Sequence, residues 1–373
     1  MRDLRSRDAI HRVRTPVGDD AWLVTDYARV RQLLDDDRLG RSHRDPDVAA
    51  RTGDSALFGG PLGDFDTEAA DHVRMRALLQ PLFSPKHLRT LQPRVEALTT
   101  GLLDDLDQHG PPVDLHAELA LPLPILVICE LLGVPYGDRD QFRQWTGDAG
   151  NVRDRARSER GLTELFDYGR TLVAHKRDHP DDDVISRLCA TPGVSDEEAA
   201  TLSMALLFAG HETTVVQIGL AALLLLTSPD HWQALADNPA LIANAVEELL
   251  RATSAGGGVG GVPRYARTDF EIDGVAIHTG ELVLLDIGSA NHDPSVFNDP
   301  DRADINRKEA AHLAFGYGAR YCIGAPLARI ELKTVFAQLI PRFPSIHLTV
   351  DPAVLTMRRD VLAGGLVELP VSW

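Results

Sequence analysis

Phe315-Gly316-Tyr317-Gly318-Ala319-Arg320-Tyr321-Cys322-Ile323-Gly324-Ala325-Pro326-Leu327-Ala328-Arg329 places one cysteine among three glycines, just ahead of a helix start. Glycine lets a backbone turn tightly and approach a flat object closely. A cysteine at a helix N-terminus sits where the dipole and free N–H groups stabilise a thiolate. Such a thiolate can ligate iron, with its electron density tuned by the contacts around it. The residues alone leave a second reading open, a Gly-rich turn around a buried structural cysteine.

Working outward, a helix is expected from about Ala325 to Leu339. Upstream, Phe270–Ile277 alternates about Asp273-Gly274, a hairpin signal, and another strand is expected at Leu282–Leu285. Before Arg251 helical patterns dominate. They run roughly over 69–82, 85–109, 115–132, 138–147, 158–177, 195–227 and 239–253. Ser195 ahead of Asp196-Glu197-Glu198 is a capping box, and Asn238-Pro239 pairs a capping residue with Pro at the first helical position. Ala21–Val24 reads as a strand, followed by Asp26 capping a helix that carries Val30, Leu33 and Leu34. Residues 41–66, rich in Gly, Asp and Pro, read as a long functional loop. Two short strands joined through Gly364-Gly365 close the chain. The expected architecture is mainly α with a small β part, a single domain over 1–373. Its β elements fall near 20–25, 264–287 and the C-terminus.

Forty-four per cent of the 373 residues are hydrophobic and only 6% aromatic, so Leu, Ala and Val carry the core, which leans helical. A formal net charge of −17 makes nucleic acid a poor partner. Three distant cysteines, Cys129, Cys189 and Cys322, form no disulfide framework and suit a cytoplasmic protein. Cys129 and Cys189 lie in apolar patterns and are expected to be packed and inert. Met1–Asp8 lacks the apolar core of a secretory signal. The apolar run after Glu212 includes Gln217, ends by Pro229, and falls short of the ~20 residues of a membrane span.

Three further clusters carry chemistry. Ala209-Gly210-His211-Glu212-Thr213-Thr214 places polar groups midway along the longest apolar helix, where they are costly unless used. Thr213 can return its hydroxyl to the Ala209 carbonyl, weakening the ladder and opening a notch beside Gly210. His72 and Arg76, four apart, share a helix face, while Arg74 points elsewhere. Glu248 and Arg251 can pair at i, i+3, which alone is a weak signal.

Together these stretches resemble the cytochrome P-450 family over about 22–373. The family's heme loop, Phe-Gly-x-Gly-x-Arg/His-x-Cys-x-Gly, matches at every defining position. The resemblance implies the P-450 fold, with heme b held between a long distal helix and the proximal Cys-loop helix. Cys322 would be the iron ligand. Phe315, Gly316, Gly324, Ala209 and Gly210 would contact the heme, and His72, Arg76, Arg264 and Arg320 its propionates. Thr213 and Glu212 would relay protons during oxygen activation, and Glu248 with Arg251 would lock the proximal loop from behind.

Function then follows as monooxygenation of an apolar, natural-product substrate. Electrons come from NAD(P)H through a ferredoxin or flavodoxin and its reductase, docked near Arg329 on a soluble monomer. Oxidative coupling or desaturation on the same scaffold is the alternative, and a non-catalytic heme sensor the reading from another class. Three departures stand out. The N-terminus lacks the Pro-rich lead of many bacterial members, which implies a more open entrance. Ala303 replaces the usual aromatic of the segment between His292 and Arg302 that resembles the family's meander. The run Ala255–Gly261 holds five glycines, which implies a thin pocket wall for a bulky substrate.

Overall fold

The computed structural model describes residues 9–57, 59–254, 261–308, 311–361 and 363–373. Met1–Asp8 and Ala255–Gly260 lie outside them, and with them the expectations of an open entrance and a thin pocket wall.

Twelve α-helices appear among the described residues. They are α1 Tyr27–Leu34, α2 Glu68–Leu79, α3 Pro85–His109, α4 Pro122–Leu132, α5 Arg139–Ala149 and α6 Arg155–Asp178, then α7 Val184–Ala190, α8 Asp196–Leu226, α9 Pro229–Asp237, α10 Ile242–Thr253, α11 Ile287–Ala290 and α12 Ala325–Arg342. The strands are β1 Ile10–Arg14, β2 Asp20–Val24, β3 Leu39–Gly40, β4 Val113–Asp114 and β5 Val262–Ala266, then β6 Phe270–Ile272, β7 Val275–Ile277, β8 Leu282–Leu285, β9 His347–Leu348 and β10 Pro370–Ser372.

Helix α8 is the axis of the helical body. It is apolar along most of its length and packs against α4, α6, α7, α10 and α12, leaving Thr201, Ala205, Ala209 and Thr213 exposed along one face. Its 31 residues agree with the helix expected over 195–227, and by length and composition alone the whole helix, unlike the run after Glu212, could cross a membrane. The Ser195 hydroxyl caps it by accepting from the Glu198 N–H at 3.1 Å. Cys129 and Cys189 are buried in the surrounding core.

The main sheet has the order β1-β2-β8-β5-β3, with β2 and β8 parallel and the other pairs antiparallel. Val283 and Leu285 of β8 enter one apolar cluster and Leu282 and Leu284 another, so the strand is buried on both faces. This explains its unbroken apolar run. Two smaller groups are β4-β10-β9 and the β6–β7 hairpin, whose turn places Asp273 and Gly274 at positive φ.

Three local expectations change. Asn238 makes no side-chain cap; its N–H closes α9 on the Ala234 carbonyl, so it ends a helix that the sequence pattern did not separate. Helix α7 was likewise not separated from its surroundings. Pro122 and Pro124 withhold two N–H donors, so the expected helix over 115–132 widens into a π turn at His116–Ala120 before α4 begins.

One buried pair ties the helical body to the irregular chain ahead of the Cys322 loop. Glu248 and Arg251 meet through two 2.8 Å bonds, with side chains 3% and 2% exposed. Arg251 also donates to the carbonyls of Asn291 and Pro300, and Glu248 accepts from the Asp304 N–H and from Arg307. Phe297, fully buried, lies 5.2 Å from the Arg251 guanidinium and edge-on to Tyr27, an aromatic contact for a segment that carries Ala303. Removing one partner leaves a buried charge unmatched. Glu248→Ala is therefore expected to cost roughly 3–5 kcal/mol, read as a large fall in Tm and in heme content. Normal heme content with an unchanged Tm would contradict the lock.

Candidate active site

The Cys322 loop closes on itself before α12. Gly316 and Gly318 take φ of +73° and +69°, and the Cys322 N–H donates to the Phe315 carbonyl at 2.9 Å. Gly318 has no alternative: a Cβ there would sit 1.7 Å from the Asp35 carboxylate, which accepts from the Ala319 N–H. Burial pushes the Cys322 thiol up, against the backbone N–H groups of Gly324 and Ala325 and the charges of Arg76 and Arg329. The helix start thus helps the thiolate without producing it. Metal coordination, which deprotonates a thiol outright, would complete the change.

Arg329, expected near a docking surface, lies beside the Cys322 loop and lines a recess there. It makes two 2.8 Å bonds to Glu247, lies 4.6 Å above the Phe315 ring and donates to the Tyr321 hydroxyl. Its charge is matched within the protein, and it braces Phe315.

A cavity of about 340 Å³ opens above the thiol. His72 and Arg76 from α2, Arg264 from β5 and Arg320 from the loop all line it, together with Cys322. The sequence placed these five residues together, and the fold does so from three distant segments. Arg74 points away to Glu198, as its helix position requires. Arg41, which the sequence reading did not single out, joins them. No carboxylate is among the lining residues. Burial and the neighbouring charges of Arg41 and Arg320 hold Arg264 down at about 9, and burial with Arg320, Arg76 and Arg41 lowers His72. Like charges gathered in a low-dielectric recess are costly without an anion. A thiol beside this cationic cluster, in which Arg320 alone is bonded to a carboxylate (Glu68) among the described residues, fits a flat, dianionic metal macrocycle, so the residues present suit a heme.

On α8, Thr213 Oγ1 donates to the Ala209 carbonyl at 2.9 Å and Thr214 Oγ1 to that of Gly210 at 3.2 Å. A Cβ on Gly210 would come within 2.9 Å of Ile128, so this glycine lets α4 approach α8. Glu212 and Thr213 diverge by one helical step of 100°. Glu212 faces a second cavity, of about 940 Å³, with His116, Arg143, His211, Arg358 and Asp360, and Thr213 is not among the residues lining it. Burial raises the Glu212 carboxyl to about 7, with Arg358 opposing and Asp360 adding.

Comparison with known proteins agrees with this geometry. The family model described as Cytochrome P450 matches residues 169–355. Pentalenolactone synthase of Streptomyces exfoliatus is 42% identical over 100% of this chain and 95% of its own length. Nocardicin C N-oxygenase of Nocardia uniformis subsp. tsuyamanensis is 38% identical over 99% of this chain and 94% of its own. The crystal structure of CYP105P1 in complex with filipin I superposes with a TM-score of 0.90 at 36% identity, covering 100% of this chain and 94% of that one. The chain belongs to the cytochrome P450 family. It is a P450 monooxygenase, similar over its full length to bacterial enzymes that tailor natural products, and as a member it uses heme and electrons from a redox partner.

Glu212 gives a pH test of the α8 geometry. A carboxyl raised from 4.5 to about 7 contributes stability that is full below pH 4.5 and lost as pH rises through 7. Relative to Glu212→Gln, the wild type is thus expected to lose at most about 3 kcal/mol across that window. The variant's Tm advantage should grow from pH 4.5 to 7 and level off above. A difference independent of pH would place the carboxyl in water.

Proposed function

We propose a soluble, cytoplasmic, monomeric heme b monooxygenase that oxidises an apolar natural product. Electrons would come from NAD(P)H through a ferredoxin or flavodoxin and its reductase. The observation that carries this reading is Cys322 at the floor of a recess whose wall holds His72, Arg76, Arg264 and Arg320 without a carboxylate. The heme, when bound, supplies dioxygen activation, which no side chain can provide. Cys322 Sγ would ligate its iron, with the four cationic groups on its carboxylates. Gly316 and Gly324 permit close backbone approach, and Phe315, braced by Arg329, shields the sulfur side. Ala209 and Gly210, small residues of α8, would lie against the heme.

Thr213 commits its proton to the Ala209 carbonyl, so its oxygen is left to accept a hydrogen bond and hold a water in the notch. Glu212, near 7, can hold a proton at neutral pH and release it, as an efficient general acid must. Arg31, stacked 4.1 Å from the Tyr317 ring, and exposed Lys308 border a recess of about 890 Å³ on the Cys322-loop side. With Arg329, which lines the same recess, they would be the basic groups for an acidic redox protein. The relatives' names support natural-product tailoring.

With a surrogate ferredoxin and reductase, the wild type should consume NAD(P)H only when a substrate is present, and in step with oxidised product. Thr213→Ala should keep heme and substrate binding but divert electrons to peroxide. Unchanged coupling would remove Thr213 from proton supply. A wild type without substrate-dependent turnover would favour the sensor reading.

A further inference from the structure

We infer that Arg41, at the exit of β3, is a further anchor for the heme carboxylates, and that Glu68, at the start of α2, is the positioning residue that sets Arg41 and Arg320 at that edge. The inference rests on the heme reading above and goes beyond the four cationic groups it assigns.

Strand β3 pairs with β5 through Leu39↔Ala266 and Gly40↔Tyr265. Continued by one residue, this antiparallel register brings Arg41 opposite Arg264. The Arg41 side chain lines the 340 Å³ cavity with Cys322 and has no hydrogen-bond or ion-pair partner among the described residues. Its main chain is pinned from outside the cavity. Glu68, itself buried, accepts from the backbone N–H groups of Arg41 at 2.8 Å and Ser42 at 3.0 Å, and from the Ser42 hydroxyl. The same carboxylate takes Arg320 at 2.6 Å and Arg267 at 3.2 Å. Gly40 makes this approach possible, since a Cβ there would lie 2.6 Å from Glu68 Oε2. Burial would raise this carboxyl, but the bonds from Ser42, Arg41 and Arg320 bring it down to about 2, so it stays ionised.

Arg41, Arg76, Arg264 and Arg320 thus line the recess, and Glu68 is the one carboxylate among the described residues bonded to any of them. Glu68 bonds the main chain of Arg41 and the side chain of Arg320, and the two carboxylates of a heme would meet Arg41, Arg76 and Arg264, still unmatched by a carboxylate. Arg41 comes from the long irregular segment after β3, so the anchor also joins that segment to the cofactor edge.

The test uses heme-loaded protein and two readouts, heme loss to excess apomyoglobin and the midpoint reduction potential. Loss of a charge-assisted bond should speed heme release about tenfold or more in Arg41→Gln. Glu68→Gln should release heme faster as well, because both arginines lose their guide. The potentials should move oppositely: down in Arg41→Gln, which removes a positive charge near the iron, and up in Glu68→Gln, which removes a negative one. Arg41→Lys should restore the wild-type potential. A general folding defect would not produce shifts of opposite sign. Heme retention and potential unchanged in Arg41→Gln, or potentials moving the same way in both variants, overturn the assignment while leaving the heme reading intact. A wild type that takes up no heme overturns both.

Discussion

Arg251 donates to Glu248 and to main-chain carbonyls of a segment that has no regular secondary structure to satisfy them. Buried carbonyls need partners, and an irregular chain cannot supply its own. The guanidinium, with five donors in a rigid fork, suits that task better than an ammonium. From the same segment, the Asn291 side chain accepts from the Leu313 N–H at 2.7 Å and donates to Ser254. These polar contacts tie α10 to Asn291, Pro300 and Leu313, two residues ahead of Phe315 and the Cys322 loop.

The opposite wall depends on α8, whose two properties pull in different directions. It must be apolar to fill the centre of the helical body, yet it carries His211, Glu212, Thr213 and Thr214 at its middle. Both threonines return their hydroxyls to the preceding turn, which satisfies them without a partner from another element. Glu212 escapes sideways into the cavity shared with α5 and the C-terminal segment. One helical step thus separates a hydroxyl bonded to the preceding turn from a carboxyl held near neutrality.

Much of this was legible because it is local. The spacing of Phe315, Gly316, Arg320, Cys322 and Gly324 reports a loop that must turn, and His72 with Arg76 reports a helix face. The β6–β7 hairpin and the caps of α1 and α8 follow from single residues whose geometry hardly depends on context. Arg41 and Glu68 were illegible for the converse reason. Their partners lie 27 to 252 positions away, on segments that meet only in the folded chain. Glu68 reads in sequence as an ordinary acidic residue at a helix start, and Arg41 as the first residue of a loop without periodicity. The bond from Arg329 to Glu247 was illegible for the same reason, since the two residues lie 82 positions apart.

The central claim is that Cys322 ligates heme iron as a thiolate. The most direct measurement is the absorption spectrum of the reduced protein with carbon monoxide. The expected result is the strongly red-shifted Soret band of a thiolate ligand, absent from a Cys322→His variant that still holds heme. A wild-type spectrum like that of a histidine-ligated globin would contradict the account.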